Sequence, residues 1–212
     1  MEKKKLVIFD FDGVLVNTSD LNFSIQKKLN PEITKEYFHS LANGNFLENY
    51  YKEVERGNLV DIPDWDEKYL EGLLQLDPHD VIKRLILDFS DKYILAVVSS
   101  STSSPISEFL KQEEVRDCFS EIYGSDVHQS KVVKINNLLE KYSIDKKDVI
   151  FITDTLGDIR DGNECEINSI GVTWGNHSRE TLLKGKPYEV VDDVLSLEIV
   201  VNNFFNSSRA KN

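Results

Sequence analysis

Short apolar runs rich in β-branched residues recur along the chain and predict buried β-strands. Four strong runs and a weaker fifth lie at 5–11, 93–100, 148–153, 169–174 and 188–191. They lack the strict alternation of apolar and polar residues that marks a sheet with one face in water. Parallel strands that are buried on both faces have this pattern.

Helical patterns lie between the later runs. The segment 106–114 follows Ser104 and Pro105, which predict an N-cap and the first turn of a helix. The segment 131–142 places its apolar side chains on one helical face. Because strand and helix alternate, we predict an α/β fold with a Rossmann-like parallel sheet flanked by helices.

The interval between the first two strands has a different pattern. Residues 16–80 contain helical patches but no convincing strand. A simple crossover needs only about a dozen residues, and structureless loops longer than about 15 residues are uncommon. We therefore predict a small all-helical subdomain at 16–80, inserted into an α/β core made of 1–15 and 81–212 and lying over the ends of the strands.

Composition argues against several classes of protein, namely those that bind nucleic acid, bind anionic lipid or span a membrane. The 212 residues carry 25 Lys and Arg against 37 Asp and Glu, a net charge of −12. This balance disfavours nucleic acid or anionic lipid as a partner, and no apolar run approaches the roughly 18 residues that cross a membrane. Two cysteines, Cys118 and Cys165, have no metal-type spacing and fit a reducing compartment. We expect a cytoplasmic protein, as a monomer or homodimer.

The first strand ends at two aspartates. Asp10 and Asp12 lie two residues apart, and Gly13 lets the chain turn away sharply. Ligands of open α/β sheets bind at this edge. Two ionised carboxylates so close together repel each other unless a cation binds or one of them stays protonated. The pair therefore indicates a functional site more than a structural turn.

Polar groups at other strand and helix ends add to this edge. Ser99 and Ser100 form a turn whose hydroxyls and N–H groups can hold phosphate oxygens, or a solvated turn. Lys131 opens a helix, where the macrodipole disfavours a cation, so it is either an ordinary surface lysine or one selected to offset the Asp pair. Asp154 and Asp158 bring up to four carboxylates together, a set of oxygen donors that favours Mg²⁺.

The order of these motifs is more specific than any one of them. DFDGV, VVSSS, SK and TDTLGD, in that order, resemble the haloacid dehalogenase superfamily of aspartate-nucleophile phosphohydrolases. The helical insert is similar to the C1-type cap of that superfamily. The sequence IGVTWG is similar to its phosphoglycolate-phosphatase-like branch, and the β-phosphoglucomutase-like enzymes are near relatives of that branch. The resemblance covers nearly the whole chain.

The resemblance implies catalytic roles for three residues. Asp10 is expected to be the nucleophile that forms an aspartyl-phosphate. Asp12 is expected to protonate the leaving oxygen and then to activate water. Lys131 is expected to neutralise charge between the nucleophile and the phosphate.

It also implies a metal site and a phosphate site. Asp10, Asp154 and the backbone carbonyl of Asp12 are expected to ligate Mg²⁺, and Asp158 to orient Lys131 or a metal-bound water. Ser99 and the amide of Ser100 are expected to bind the phosphoryl group.

The chain departs from the family pattern at four positions. Thr153 replaces a common Gly before the metal-binding Asp, and Ser130 and Val132 replace the Gly and the Pro of the Gly-Lys-Pro motif around Lys131. Glu166 replaces a turn Gly.

Among the activities of the family, we predict a Mg²⁺-dependent phosphatase that hydrolyses a small phosphorylated metabolite. Asp12 argues against a dehalogenase, whose reaction has no leaving oxygen to protonate. A phosphosugar mutase of the β-phosphoglucomutase type is the alternative, although Asn22 stands where those enzymes carry His. A catalytically silent binding protein is a further alternative. Asn43 and Asn45, near a predicted turn in the cap, are candidate substrate-binding residues.

Overall fold

The computed structural model describes residues 5–76 and 80–207. The strands are β1 (Leu6–Phe9), β2 (Ile94–Val98), β3 (Phe119–Tyr123), β4 (Val149–Thr153), β5 (Asn168–Val172) and β6 (Glu189–Val191). The helices are α1 (Ser19–Leu29), α2 (Lys35–Ser40), α3 (Phe46–Glu55), α4 (Trp65–Leu73), α5 (Asp80–Ser90), α6 (Ser103–Gln112), α7 (Lys131–Tyr142), α8 (Leu156–Glu164), α9 (Arg179–Leu183) and α10 (Val194–Ser207). Helices and strands alternate from α5 onward, as predicted.

All six strands form one parallel sheet in the order β3-β2-β1-β4-β5-β6. β1 lies between β2 and β4, with Leu6 opposite both Ile94 and Val149. β2 and β3 lie on one side of β1, and β4, β5 and β6 lie on the other. Because the strand order reverses at β1, a crevice forms at the carboxyl ends of β1 and its neighbours. The predicted Rossmann-like fold is confirmed.

Burial on both faces explains the continuous apolar pattern of β1. Its side chains alternate between two clusters of the core: Val7 and Phe9 belong to the larger one, and Leu6 and Ile8 to the other. All four are no more than 1% exposed. A strand covered on both faces needs apolar residues at every position, which is why the sequence pattern located it.

The helices α1 to α4 lie between β1 and β2 along the chain and partly share a core of their own. Five buried side chains form it: Ile33, Phe38, Leu41, Tyr50 and Leu59. Tyr69 and Leu73 of α4 belong instead to the large cluster beneath the sheet. The predicted cap boundaries at 16 and 80 stay a prediction, and residues 77–79 lie outside the described part.

Two local predictions were wrong. β3 was not predicted, because polar residues interrupt this edge strand: Glu121 accepts hydrogen bonds from Lys141 and Tyr142 on α7 rather than packing in the core. α6 begins at Ser103, so Ser104 is not its N-cap. Asp126 accepts a hydrogen bond of 2.7 Å from the Ser103 amide, a distant cap that no local pattern indicates.

Within residues 5–76 and 80–207, no helix combines the length and the apolar character needed to cross a membrane. Cys118 and Cys165 are free thiols.

Candidate active site

The carboxyl ends of β1, β2 and β4 bring the sequence motifs together. Asp10 follows β1, and its amide donates a 2.9 Å hydrogen bond to the carbonyl of Ile152 on β4. Gly13 has a φ of +76°, and a Cβ there would lie 2.1 Å from a carboxylate oxygen of Asp154. Glycine is therefore required both by the backbone conformation and by the close approach of Asp154.

Lys131 stands between two of the aspartates. Its Nζ lies 2.9 Å from Asp10 and 2.8 Å from Asp158, and the side chain is almost fully buried. Thr153 donates a 2.7 Å hydrogen bond to the same Asp158 oxygen. The structure thus places Lys131 against Asp10, one member of the Asp pair, rather than on the surface. Thr153, where the family pattern has Gly, also helps to fix Asp158.

Burial and charge shift the pKa values of these groups in different directions. Burial raises the pKa of Asp10 well above its ordinary value, and Lys131 offsets part of the effect. Burial opposes the charge of Lys131, but Asp10 and Asp158 together hold the pKa of that lysine above its ordinary value. Burial also opposes ionisation of Asp158, yet Lys131 lowers its pKa. Asp158 and Lys131 therefore form an ion pair beside the Asp10 carboxyl.

Asp154 has the character of a cation ligand. One of its carboxylate oxygens accepts hydrogen bonds from the amide and the side chain of Asn176, at 2.7 and 2.8 Å. The other oxygen, Oδ1, is buried without a hydrogen-bond partner among the described residues. Burial raises the pKa of Asp154 to about 7. A divalent cation would satisfy the orphan oxygen and stabilise the ionised carboxylate.

The donor set suits Mg²⁺ with few protein ligands. In the described ranges, no three His, Cys, Asp or Glu side chains are grouped as a metal cage. Mg²⁺ commonly takes one or two carboxylates and keeps waters and substrate phosphate. Asp10, Asp154 and the Asp12 backbone carbonyl could hold it. An oxygen of Asp158 already binds Lys131 and Thr153, which favours the role of orienting Lys131.

The Asp12 carboxylate is surrounded by hydroxyl groups. Thr18 and Tyr69 each donate to Oδ1 at 2.6 Å. Ser101 donates to Oδ2 at 2.7 Å, and Ser99 donates to the same oxygen at 3.3 Å. This carboxylate is held in one orientation by residues from three separate parts of the chain.

A cavity of about 670 Å³ lies over these residues. Asp10, Asp12, Ser100 and Lys131 line it, whereas Ser99 is buried behind them and makes its contacts to Asp12 and to the amide of Ser101. Ser100 is thus the predicted phosphate-binding serine that faces the cavity.

The two cap asparagines do not line this cavity. Asn45 is the N-cap of α3, and its side chain accepts a hydrogen bond from the amide of Glu48. Asn43 is exposed, and its carbonyl accepts a 2.8 Å hydrogen bond from Arg160 on α8. Both residues have structural partners, while Tyr50 from the same region does line the cavity.

Sequence reasoning missed three residues of the site: Tyr69, Thr18 and Asn176. Tyr69 lies 57 positions from Asp12, and no local pattern connects the two. Thr18 lies shortly after the DFDGV motif, and Asn176 comes directly after IGVTWG. Hydroxyl and amide residues are so common in turns that neither residue is distinctive in the sequence.

Comparisons with known proteins give a family match and two similar enzymes. Residues 7–172 match the haloacid dehalogenase-like hydrolase family. The chain is 27% identical over 225 residues to a phosphoglycolate phosphatase of Aliivibrio fischeri, a match that covers 95% of this chain and 98% of that protein. It is 23% identical over 210 residues to the pyrophosphatase PpaX of Listeria welshimeri, covering 93% and 96%.

A solved structure supports the fold. A hydrolase from Pseudomonas syringae superposes with a TM-score of 0.78 at 16% identity, covering 94% of this chain and 99% of that one. The family match runs from β1 through β5 and includes Asp10, Lys131 and Asp154. The chain belongs to the haloacid dehalogenase-like hydrolase family.

Proposed function

We propose that this enzyme is a Mg²⁺-dependent phosphatase that hydrolyses a small phosphorylated metabolite through an aspartyl-phosphate on Asp10. The observation that carries the proposal is the placement of Lys131 against Asp10, with the hydroxyl-held Asp12 beside the same cavity. The named activities of the Aliivibrio and Listeria relatives, both phosphate-releasing, support it.

In the first step, a carboxylate oxygen of Asp10 attacks phosphorus, and the bond from phosphorus to the ester oxygen breaks. Asp12 gives its proton to that oxygen, so the leaving group departs as an alcohol rather than as an alkoxide. Lys131 stabilises the charge on the phosphoryl oxygens as a fixed cation. The amide of Ser100, at the end of β2, supplies a donor to the same group.

In the second step, water attacks the phosphorus of the aspartyl-phosphate. Asp12, now ionised, takes a proton from that water, and the bond from phosphorus to Asp10 breaks. Inorganic phosphate and the free Asp10 carboxylate result. A Mg²⁺ ion held by Asp10, Asp154 and the Asp12 carbonyl would supply further positive charge for the phosphoryl oxygens.

The first test measures phosphate release from p-nitrophenyl phosphate, with Mg²⁺ and with EDTA. We expect turnover that needs the metal and is lost in Asp10→Asn, while circular dichroism shows a native fold. Asp88→Asn is the matched control, because Asp88 lies on α5 and its nearest ionic partner, Arg84, is 4.0 Å away. Full turnover by a folded Asp10→Asn protein would exclude Asp10 as the nucleophile.

A second assay separates the phosphatase from its alternative. If p-nitrophenyl phosphate is not hydrolysed but sugar phosphates are isomerised, the mutase hypothesis replaces this one. If neither reaction occurs although phosphate binds, the chain is a silent binding protein.

A further inference from the structure

The cavity extends beyond the phosphate-binding residues to an aromatic wall. Phe46, Tyr50 and Tyr51 of α3 line it, together with Trp65 of α4. The rings of Phe46 and Tyr50 are stacked, with centroids 6.2 Å apart and planes at 14°. Tyr51 meets Tyr50 edge to face at 5.4 Å. These four residues form an aromatic wall of the cavity that contains Asp10 and Asp12.

Carboxylates accompany these aromatic residues in the lining. The Tyr50 hydroxyl donates a 3.4 Å hydrogen bond to Asp61, and three more lining acids lie beside Trp65 in the chain: Asp64, Asp66 and Glu67. Lys131 is the one Lys or Arg among the described residues of the lining, and it is paired with Asp10 and Asp158. His39 also lines the cavity, but burial lowers its pKa, which favours the neutral ring.

This lining should discriminate between substrates by the charge of their leaving alcohol. A second anionic group on the substrate, such as a carboxylate, would be placed among carboxylates without a cation to pair with it. An ammonium group would be attracted by the carboxylates and by the aromatic faces at once. The leaving alcohol is therefore better matched to the cavity when it carries a positive charge.

The helix α4 connects these residues to Asp12. Tyr69 on this helix contacts Asp12, and Trp65 and Asp66, which precede Tyr69 by four and three residues, line the cavity. Residues at these spacings lie on one helical face. The helix that contacts Asp12 therefore also supplies an aromatic and an acidic residue to the lining.

We propose that the preferred substrate is the phosphate monoester of a small amino alcohol, whose ammonium group lies between the aromatic wall and the carboxylates of the cap. This inference rests on the proposed phosphatase function. It distinguishes the chain from a relative named for phosphoglycolate, whose leaving alcohol carries a carboxylate.

Three substrates of nearly the same shape test the idea: O-phosphoethanolamine, 2-hydroxyethyl phosphate and 2-phosphoglycolate. They differ in ending in an ammonium, a hydroxyl or a carboxylate. We expect kcat/KM to fall in that order, by about tenfold between the first and the last. The ratio should shrink at high salt, since screening weakens the interaction between charges near the surface.

Variants locate the effect. Asp61→Asn with Asp66→Asn should lower kcat/KM for the ammonium substrate severalfold and leave 2-hydroxyethyl phosphate nearly unchanged. Glu55→Gln is the control, because Glu55 is an exposed acid of α3 that does not line the cavity. Equal rates for the three esters, or a preference for phosphoglycolate, overturn the inference while leaving the phosphatase intact. No hydrolysis of these esters or of p-nitrophenyl phosphate refutes the function itself.

A separate observation concerns Tyr69. This residue is 1% exposed, and its hydroxyl donates a 2.6 Å hydrogen bond to Asp12 Oδ1. Thr18 donates to the same oxygen, and Ser101 to the other one. Thr18 and Ser101 come from the loops that follow β1 and β2, whereas Tyr69 comes from a helix of the inserted segment. Tyr69 therefore links the insert to the acid.

We infer that Tyr69 is a positioning residue for Asp12. It acts through Asp12 by fixing the orientation in which that carboxyl meets the leaving oxygen. Tyr69 therefore contributes to the proton transfer from Asp12 and not to phosphate binding. The size of its effect on the rate depends on how much the leaving group needs a proton. An alkoxide needs a proton as it departs, while p-nitrophenolate departs readily without one.

Tyr69→Phe tests this inference, which also rests on the proposed function. We expect kcat/KM for 2-hydroxyethyl phosphate to fall at least tenfold, and that for p-nitrophenyl phosphate to fall less than threefold. In an Asp12→Asn background the same substitution should have no further effect, because interacting residues are not additive. Tyr142→Phe is the control, since its hydroxyl contacts Glu121 far from the site.

A merely structural role for Tyr69 would lower both activities alike, and it would add to the loss in Asp12→Asn. Either result overturns the inference. Failure of the wild-type protein to hydrolyse either ester counts against the phosphatase function instead.

Discussion

Asp154 presents two carboxylate oxygens in different states. One accepts two hydrogen bonds from Asn176, and the other is buried without a partner in the described part of the chain. Burial of both raises the pKa of the carboxyl to about 7. In the absence of a cation, a proton competes for this group near neutral pH, so metal binding and protonation are linked.

We therefore expect Mg²⁺ to raise the thermal unfolding temperature, and its affinity to increase as pH rises through about 7. Below that pH the proton occupies Asp154, and above it the carboxylate is free to bind. Differential scanning fluorimetry with Mg²⁺ titrations at several pH values measures this. Asp154→Asn should lose most of the metal-induced shift and Asp88→Asn should keep it. A shift independent of Asp154 would place the metal elsewhere.

Lys134 makes the stability of the fold, rather than metal binding, depend on pH. It is 0% exposed, and its Nζ donates to the carbonyls of Ser99 and Gly124 at 2.5 and 3.2 Å. Burial, together with the charge of Lys131, lowers the pKa of Lys134 to about 7. The unfolded chain keeps this proton up to a pH near 10.5. Between those values the unfolded state binds more protons, so stability rises with pH.

The expected contribution is a slope of up to about 1.4 kcal/mol per pH unit above pH 7. Urea unfolding between pH 7.5 and about 9.5, the window in which a free lysine stays charged, measures the slope. Lys134→Met should remove this slope, even if the substitution also changes the free energy of unfolding at every pH. Lys147→Met, which alters an exposed lysine, should retain it. The same slope in Lys134→Met would show that another group titrates.

At the scale of single elements, the end of α8 explains one departure from the family pattern. Glu166 has a φ of +59°, just beyond the last turn of the helix. The amide of Ile167 donates to the carbonyl of Gly162, and that of Glu166 donates to Asn163, both at 3.0 Å. This is a Schellman ending, in which glycine is favoured at the left-handed position. Glu166 holds that position under strain.

Glu166→Gly should therefore be more stable than Glu166→Gln by about 1 kcal/mol, because a side chain in the left-handed region costs about that much. Both variants lose the exposed ion pair with Lys146, so the difference isolates the backbone. Chemical denaturation of the two proteins provides the comparison. Equal stabilities would mean that the turn tolerates a side chain without strain.

The elements also show what the sequence can and cannot predict. β1 and β4 were predictable because both faces are buried and every position except Thr153 is apolar. The edge strand β3 was not, since half-buried positions and Glu121 hide its pattern. Asp10 and Asp154 were predictable because strand ends meet at one edge. Tyr69 reaches Asp12 only through the packing of α4, and no local pattern in the chain encodes that contact.

At the scale of the whole molecule, the inserted segment approaches helix α8 of the core backbone to backbone. Arg160 on α8 donates to the Asn43 carbonyl, and Gly157 on the same helix lies against Gly44. A Cβ at Gly157 would be 2.2 Å from the Gly44 carbonyl oxygen, a backbone atom that cannot rotate away. The close approach of the segment around Gly44 to α8 depends on the absence of that atom.

Gly157→Ala should keep the insert from closing while leaving the core folded. Alanine is the better helix former, by about 1 kcal/mol, so the unfolding temperature should change little. Closure of a lid excludes water and completes a site. We expect kcat/KM to fall at least tenfold, because the segment around Gly44, a residue that lines the cavity, is displaced. Glu164→Ala, on an exposed position of α8, is the control. Unchanged activity in Gly157→Ala would show that closure at this contact is not needed for catalysis.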